Sequence, residues 1–308
     1  PELEKNEKNS IVTTFNRNFP GRNDGQRTTL NFIGSPEMII ALALGGRLSF
    51  NPLKDDLVAA DGTKFKLEPP SIAPEVPEDG FMIPEGIFTR GSDSGGYDEK
   101  PAQEIYLDAF YIDKYEVSVK EYNKYRKAAS YVKPSVPFFS GDHALMDVPI
   151  HAVVGVSWHD ATNYCTWAGK RLLTEAEWEK AARGTHGLDF PWGNKILSKR
   201  ANLAGTGDGF AYMAPVGSYP MGRSVYGVYD MAGNVSEWVN DFYDQFYYKT
   251  APIMNPTGPE KGKNHVFKGG SWDARSVDIR TSKRFAATPG RKDSILGFRC
   301  GLSKKDKK

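Results

Sequence analysis

The chain has 308 residues, and its 40 Lys and Arg side chains nearly balance 38 Asp and Glu, leaving a formal net charge of +2. This length can hold one large domain with an appendage, or two ordinary domains. The balanced charge does not support binding to nucleic acid through a generally basic surface, so we predict no nucleic-acid partner.

We expect neither a targeting nor a membrane segment in this sequence. The longest apolar run, residues 38–44, is far shorter than the roughly 20 residues of a membrane-spanning helix, and we predict no transmembrane segment. Residues 1–10 are polar, so we expect that a signal peptide is not present in this chain.

Ser35 is a suitable N-cap for a short helix that runs to Leu44.

A proline-rich stretch divides the sequence. Four prolines between residues 69 and 77 indicate a linker, which we place at residues 73–79. The linker separates an N-terminal arm, residues 1–72, from a larger domain at residues 80–308.

The arm resembles one stretch of the aconitase family over residues 8–72, most clearly in IVTTFNRNFPGRND at residues 11–24. The resemblance implies that Asn16, Arg17 and Arg22 match residues that contact substrate carboxylates, for which a planar guanidinium is well suited. The cysteines that would hold an iron–sulfur cluster are missing from this sequence, so we expect neither the cluster nor aconitase activity. The alternative is a structural arm.

In the larger domain, three helix starts carry a capping pair, in which Ser or Thr is followed three residues later by an acidic residue. The three pairs are Ser118 with Glu121, Ser157 with Asp160, and Thr174 with Glu177. We expect short helices that end near residue 128, at Gly169 and at Gly184. In the third helix, apolar side chains are expected to pack while the charged ones face water or partners.

Strands are predicted at residues 105–112, 153–156 and 266–268, with long loops between them. The composition agrees, because 31 Gly and 20 Pro residues indicate many turns. Loops of this length need additional support, such as a bound metal ion or a disulfide. The predicted fold class is therefore α+β, loop-rich, with short helices and strands.

A series of motifs in this domain resembles the formylglycine-generating enzyme, or sulfatase-modifying factor, family. They are FMIPEGIFTRGS at residues 81–92, VSWHDA at 156–161, GKRLLTEAEW at 169–178, FPWGN at 190–194, AGNVSEW at 232–238, KGGS at 268–271 and GFRC at 297–300. The resemblance implies this family's fold, which is similar to that of C-type lectins.

The resemblance also implies a disulfide between Cys165 and Cys300, which are the two cysteines of the chain. A bridge of this span stabilises a fold by about 4 to 5 kcal/mol on a chain-entropy model. The alternative is two buried free thiols. A disulfide would favour an extracytoplasmic location, periplasmic or secreted.

Founding members of the family oxidise a cysteine to formylglycine with copper held by two thiolates, because soft sulfur ligands select Cu(I). The matching positions in this sequence are Ala274 and Ile279, which cannot bind a metal. We therefore expect neither copper nor the oxidase activity. The five histidines show no spacing typical of a metal site.

Calcium is the cofactor that the resemblance favours, because Ca²⁺ is a hard cation that prefers oxygen ligands, such as those of loop carbonyls and carboxylates. The first implied site consists of Asn202, the Leu203 carbonyl, Asp208 and the Phe210 carbonyl. The second consists of Asn234 and Glu237 with the carbonyls of Gly233 and Val235. The alternative for each set is a hydrogen-bonded turn.

Two functions remain open at this point. One is a non-catalytic module that binds a small ligand or a protein partner, such as an accessory subunit of an extracytoplasmic complex. The other is an enzyme of the same family with copper-independent chemistry. The second function requires a ligand pocket in which Ser271, Trp272, Arg275 and Arg280 converge.

Overall fold

The computed structural model describes residues 10–13, 30–33, 57–58, 63–65, 80–136, 139, 141–205 and 207–304. The chain forms two units, Pro1–Glu75 and Val76–Lys308. In the first, β1 (Ser10–Thr13) pairs with β2 (Leu30–Ile33) in parallel, and β3 (Leu57–Val58) pairs with β4 (Lys64–Phe65) antiparallel. The predicted helix after Ser35, the predicted linker and the three residues matched to aconitase substrate contacts lie outside the described residues.

The second unit is a mixed α+β domain with two four-stranded sheets and one hairpin. Its strands are β5 (Gly80–Ile83), β6 (Gly86–Arg90), β7 (Gln103–Leu107), β8 (Phe110–Asp113), β9 (Arg171–Leu172), β10 (Ser236–Phe242), β11 (His265–Lys268), β12 (Phe285–Ala287), β13 (Leu296–Phe298) and β14 (Cys300–Ser303). One sheet has the order β5-β8-β14-β9, the other β12-β11-β10-β13, and β6 pairs with β7.

Four helices lie between these strands: α1 (Val119–Ala129), α2 (Trp158–Trp167), α3 (Glu175–Arg183) and the single turn α4 (Tyr247–Thr250). The three predicted capping boxes are confirmed, with Ser118, Ser157 and Thr174 each accepting a hydrogen bond from the third residue of the helix. Each box satisfies backbone donors that a helix start would otherwise leave free. Within the described part of the chain, no helix has the length and apolarity needed to cross a bilayer.

The strand predictions are only partly correct. Residues 105–112 form two strands, not one, because the chain passes from the β6–β7 hairpin to the β5-β8 sheet at residue 108. The backbone N–H of Asp108 donates to Asn255 Oδ1 over 2.8 Å at this break. Residues 153–156 are buried but belong to no strand, whereas β11 contains the predicted residues 266–268.

The predicted disulfide is present. Cys165 in α2 is bonded to Cys300 at the start of β14, with the two Cα atoms 5.6 Å apart. The bridge lies in an apolar cluster in which Tyr122, Tyr164 and Phe298 pack against one another. It therefore joins the second helix to the last strand inside the core.

Helix α3 departs from the amphipathic pattern expected for it, because all nine of its residues are buried, the charged ones included. Lys180 Nζ donates to the carbonyls of Pro84 and Gly86 over 2.7 and 2.9 Å. Arg183 donates to the Gly91 carbonyl over 2.6 Å and to Glu179 over 2.7 Å. The charged side chains thus hold neighbouring loops within the chain instead of facing water.

Candidate functional site

The loops that carry the predicted site residues meet around two buried asparagines. Asn202 Nδ2 donates to Asn234 Oδ1 over 3.2 Å, and the backbone N–H of Asn234 donates to the Asn202 carbonyl over 3.0 Å. Asn234 Nδ2 in turn donates to Glu116 Oε2 over 2.7 Å. The two predicted calcium sets are therefore parts of one hydrogen-bonded network.

The close approach of the two loops depends on a glycine. Gly233 has a φ of +77°, and a Cβ at this position would lie 2.2 Å from the Asn202 carbonyl oxygen. A side chain here would meet both a steric clash and an unfavourable backbone conformation. Gly233 therefore allows the two asparagines to meet.

The first calcium set has oxygen atoms suited to a hard cation. Asn202 is buried, and its Oδ1 has no hydrogen-bond partner among the described residues, which is costly unless another group occupies that place. Asp208 accepts from the backbone N–H groups of Leu203 and Phe210 over 2.6 and 3.1 Å, and so folds that loop around itself. The free Asn202 oxygen fits the ligand type that calcium requires.

The second calcium set has other partners. Both oxygens of Glu237 are bonded to Arg299, over 2.6 and 2.7 Å, and Trp178 Nε1 also donates to Glu237 over 2.8 Å. Asn234 Oδ1 already accepts from Asn202 and from the backbone N–H of Ala214. A cation here would have to displace these bonds, so the arrangement suits calcium less well than the first set does.

A metal site built mainly from charged side chains is not formed. In the part of the chain that the structure describes, no three His, Cys, Asp or Glu side chains are grouped so that they could hold a metal ion. A cation at Asn202 would therefore rely on amide and carbonyl oxygens together with Asp208.

The two positions matched to the copper-binding cysteines lie together and are apolar. Ile279 is fully buried in a cluster with Phe190, Ala201 and Ala232, and Ala274 packs against the same cluster. Neither side chain has an atom that can coordinate a metal. The residues present do not fit copper.

The predicted ligand pocket is not assembled around its two arginines. Arg275 is 78% exposed and pairs with Asp278 over 3.0 Å. Arg280 donates to both oxygens of Glu99 over 2.6 and 2.7 Å. Burial alone would raise the pKa of Glu99, but hydrogen bonds, from Arg280 above all, lower it to about 2. Each guanidinium therefore has its own carboxylate partner.

Ser271 and Trp272 lie next to the asparagine network. Ser271 is buried, and its Oγ accepts a hydrogen bond from the backbone N–H of Asp273 over 3.3 Å. The backbone N–H of Trp272 donates to the Asn234 carbonyl over 2.7 Å, and its indole N–H donates to the Ser294 carbonyl. These contacts fix the positions of both residues beside Asn234.

An aromatic wall that sequence reasoning did not find surrounds Trp272. The rings of Tyr212 and Trp272 have centroids 5.1 Å apart, Phe139 lies 5.3 Å from Tyr212, and His143 lies 5.6 Å from Phe139. A cavity of about 470 Å³ is lined by His143 and Val136 at one end of this wall. Aromatic residues in loops are equally typical of a core, so Phe139 and Tyr212 could not be identified as partners of Trp272 from the sequence.

Comparisons with known proteins agree with this architecture. The model of the sulfatase-modifying factor enzyme 1-like domain matches residues 68–303, and that of the aconitase family (aconitate hydratase) matches residues 2–46. The formylglycine-generating enzyme of Bos taurus is 35% identical over 290 residues, covering 75% of this chain and 76% of that protein. An inactive C-alpha-formylglycine-generating enzyme 2 of Mus musculus is 30% identical, covering 72% of this chain and 84% of that protein.

Among solved structures, PvdO from Pseudomonas aeruginosa superposes with a TM-score of 0.64 at 30% identity. The match covers 73% of this chain and 94% of that one. The resemblances inferred from the motifs are thus confirmed, to one family over the larger domain and to the other over residues 2–46 of the arm, a shorter stretch than the predicted 8–72.

Proposed function

The chain belongs to the sulfatase-modifying factor family, and on that premise we propose that it is a non-catalytic module that binds a ligand or a protein partner. The observation that carries this proposal is the apolar cluster at Ala274 and Ile279, where the family resemblance implies two copper-binding thiolates. Without soft ligands at these positions, Cu(I) has no site. The protein then lacks the group that supplies the oxidation.

The alternative, an enzyme with copper-independent chemistry, has less support. It requires Arg275 and Arg280 to face one cavity with an available group between them. Each arginine instead pairs with a carboxylate. Ser271 Oγ accepts from the backbone N–H of Asp273, and among the described residues no histidine or carboxylate side chain forms a hydrogen bond with it. The related inactive enzyme of Mus musculus illustrates that this fold occurs without the family's catalysis.

The binding surface that we assign to this module is the aromatic wall of Phe139, Tyr212 and Trp272 with the adjoining cavity. Aromatic rings supply large contact areas with little conformational entropy to lose. We also propose that calcium binds at Asn202 and Asp208, where it would satisfy the unpaired Asn202 oxygen and brace the loop behind the wall. The disulfide supports a location outside the reducing cytoplasm.

The proposal is tested by metal analysis of the purified chain together with a formylglycine assay, in which a cysteine-containing sulfatase peptide is incubated with added copper. We expect no stoichiometric copper and no aldehyde product. The double variant Ala274→Cys/Ile279→Cys is the positive control, because it restores two thiolates, and each single variant is its matched control. Copper with turnover in the unaltered protein would overturn the proposal.

Calcium is tested separately, by thermal unfolding with added Ca²⁺ and with a chelator. At a Ca²⁺ concentration about 100 times the Kd, binding to the folded state adds about 2.7 kcal/mol of stability. Asp208→Asn should abolish most of this gain, whereas Asp278→Asn, at a half-buried carboxylate that pairs with the exposed Arg275, should keep it. Equal gains in both variants would show that calcium binds elsewhere.

A further inference from the structure

A second surface borders the apolar cluster of Ala274 and Ile279, since Trp192, one of its residues, packs against that cluster. Residues 188–200 and 219–229 enclose an open groove of about 560 Å³, which we call the Met221 groove; its walls include Trp192, Arg200, Met221, Arg223, Val225 and Tyr226. The two segments are pressed together, because a Cβ on Gly222 would lie 1.8 Å from the Arg200 carbonyl oxygen. The Arg200 side chain also donates to the Met221 carbonyl. The groove is thus formed by backbone packing.

Large apolar side chains are exposed along this groove. Met221 and Val225 are 62% and 63% exposed, and Trp192 and Tyr226 are partly buried in its walls. Ile196 and Leu197, on the loop between Trp192 and Arg200, are also exposed. Single exposed apolar residues are ordinary, but a group of them that continues into a concave surface indicates an interaction site.

The same surface carries unpaired positive charge. Lys195, Lys199, Arg200 and Arg223 form no ion pair with another described residue, in contrast to the buried arginines of the fold. The two segments contain a single acidic residue, Asp189. The groove is therefore an apolar depression with cations around it, and its charge is complementary to an acidic partner.

We propose that the Met221 groove docks an extended segment of a partner protein that combines acidic with apolar side chains. The apolar side chains would fill the depression, and the carboxylates would meet Arg200 and Arg223 in its walls, with Lys195 and Lys199 on the segment between Trp192 and Arg200. A bilayer surface fits less well, since interfacial binding needs apolar side chains that project into the lipid, and a flat surface leaves a depression empty. The inference does not depend on the copper or calcium positions and would hold for a catalytic protein as well.

The test measures binding of the full chain to a short fluorescent peptide in which Glu alternates with Leu and Phe. A second peptide with Gln in place of each Glu is the peptide control. Arg223→Glu reverses a charge on a side chain that is exposed, and Met221→Asp removes the apolar contact. Each variant should weaken binding of the acidic peptide about tenfold.

Matched variants outside the groove separate the effect from general charge or folding changes. Lys261→Glu and Ile253→Asp alter exposed residues of the same kinds and should leave affinity within about twofold. Thermal unfolding checks that every variant is folded. A peptide with Lys in place of Glu should bind Arg223→Glu better than it binds the unaltered chain.

Three results would overturn the proposal. The first is that the acidic peptide fails to bind, or binds the groove variants and the unaltered chain equally. The second is that vesicles of phosphatidylcholine with phosphatidylserine bind the chain through Arg223 and Met221 while the peptide does not. The third is that Met221→Asp changes the sedimentation of the protein from an oligomer to a monomer, which would identify a second copy of the chain as the occupant.

Discussion

Replacing Glu237 by Gln removes one half of an ion pair in which both side chains are fully buried. Arg299 loses its charged partner while it stays in the interior, where it also donates to the carbonyls of Asp113, Lys114 and Tyr229. Breaking one side of such a pair costs about 3 to 5 kcal/mol, because the remaining charge is desolvated without compensation.

A nearby carboxyl moderates this cost. Burial, together with the charge of Glu237, raises the pKa of Asp230 to about 6, although a hydrogen bond from Gly217 and the charge of Arg299 lower it. Asp230 is therefore mostly ionised at neutral pH, and its charge continues to interact with Arg299 after Glu237 is made neutral. We therefore expect a loss at the lower end, about 3 kcal/mol.

The assay is urea unfolding of the oxidised chain, monitored by tryptophan fluorescence. Trp178 and Trp238 report on the second unit because they are buried in it. Asp147→Asn is the matched control, because its pair with Lys133 has side chains that are 57% and 49% exposed. An exposed pair of this kind contributes about 0 to 1 kcal/mol. If Glu237→Gln costs no more than Asp147→Asn at an unchanged denaturant slope, the account of the buried pair is wrong.

Three further predictions concern stability. Removing the disulfide with Cys165→Ala/Cys300→Ala should lower the free energy of unfolding by about 5 kcal/mol relative to the oxidised protein, and the reduced unaltered protein, as control, should show a similar loss. Burial, with the charge of a neighbouring glutamate, raises the pKa of Asp241 to about 8. The protonated carboxyl is therefore favoured in the folded state, and its contribution to the free energy of unfolding is fully present below pH 4 and is lost as the pH rises through 8. Asp241→Asn should remove that decline, on the order of 1 kcal/mol per pH unit in melts across this range, and a parallel decline in both proteins would contradict the assignment. Gly233→Ala should destabilise the fold by more than about 1 kcal/mol, since its Cβ would clash with the Asn202 carbonyl; an unchanged melting temperature would refute this.

Local signals in the sequence predicted local structure well. The capping pairs at Ser118, Ser157 and Thr174 act within one helical turn, and the three helices begin where these pairs place them. The strand over residues 105–112 was predicted from alternation alone, and alternation cannot show that the chain changes sheets at Asp108. That break depends on Asn255, which is 147 residues away along the chain.

Only those residues of the candidate site that lie in the family motifs, or at a fixed distance from them along the chain, could be predicted from the sequence. Counting from the GGS motif placed Ala274 and Ile279, and the structure brings both into one apolar cluster. The bond between Asn202 and Asn234, and the ring of Tyr212 against Trp272, depend on how separate loops fold against each other. No spacing rule in the sequence encodes such contacts.

The interior of α3 has a consequence for how this domain can change during evolution. Lys180 and Arg183 donate to backbone carbonyls of residues 84–91, a segment that contains the β5–β6 turn and strand β6, and Glu179 accepts from the Gly91 N–H over 2.7 Å. Because this segment is held through its backbone by a helix elsewhere in the chain, its exposed side chains contribute little to its shape. Those side chains can be exchanged to suit a new partner while the backbone of the segment keeps its path, so different residues serve recognition and folding.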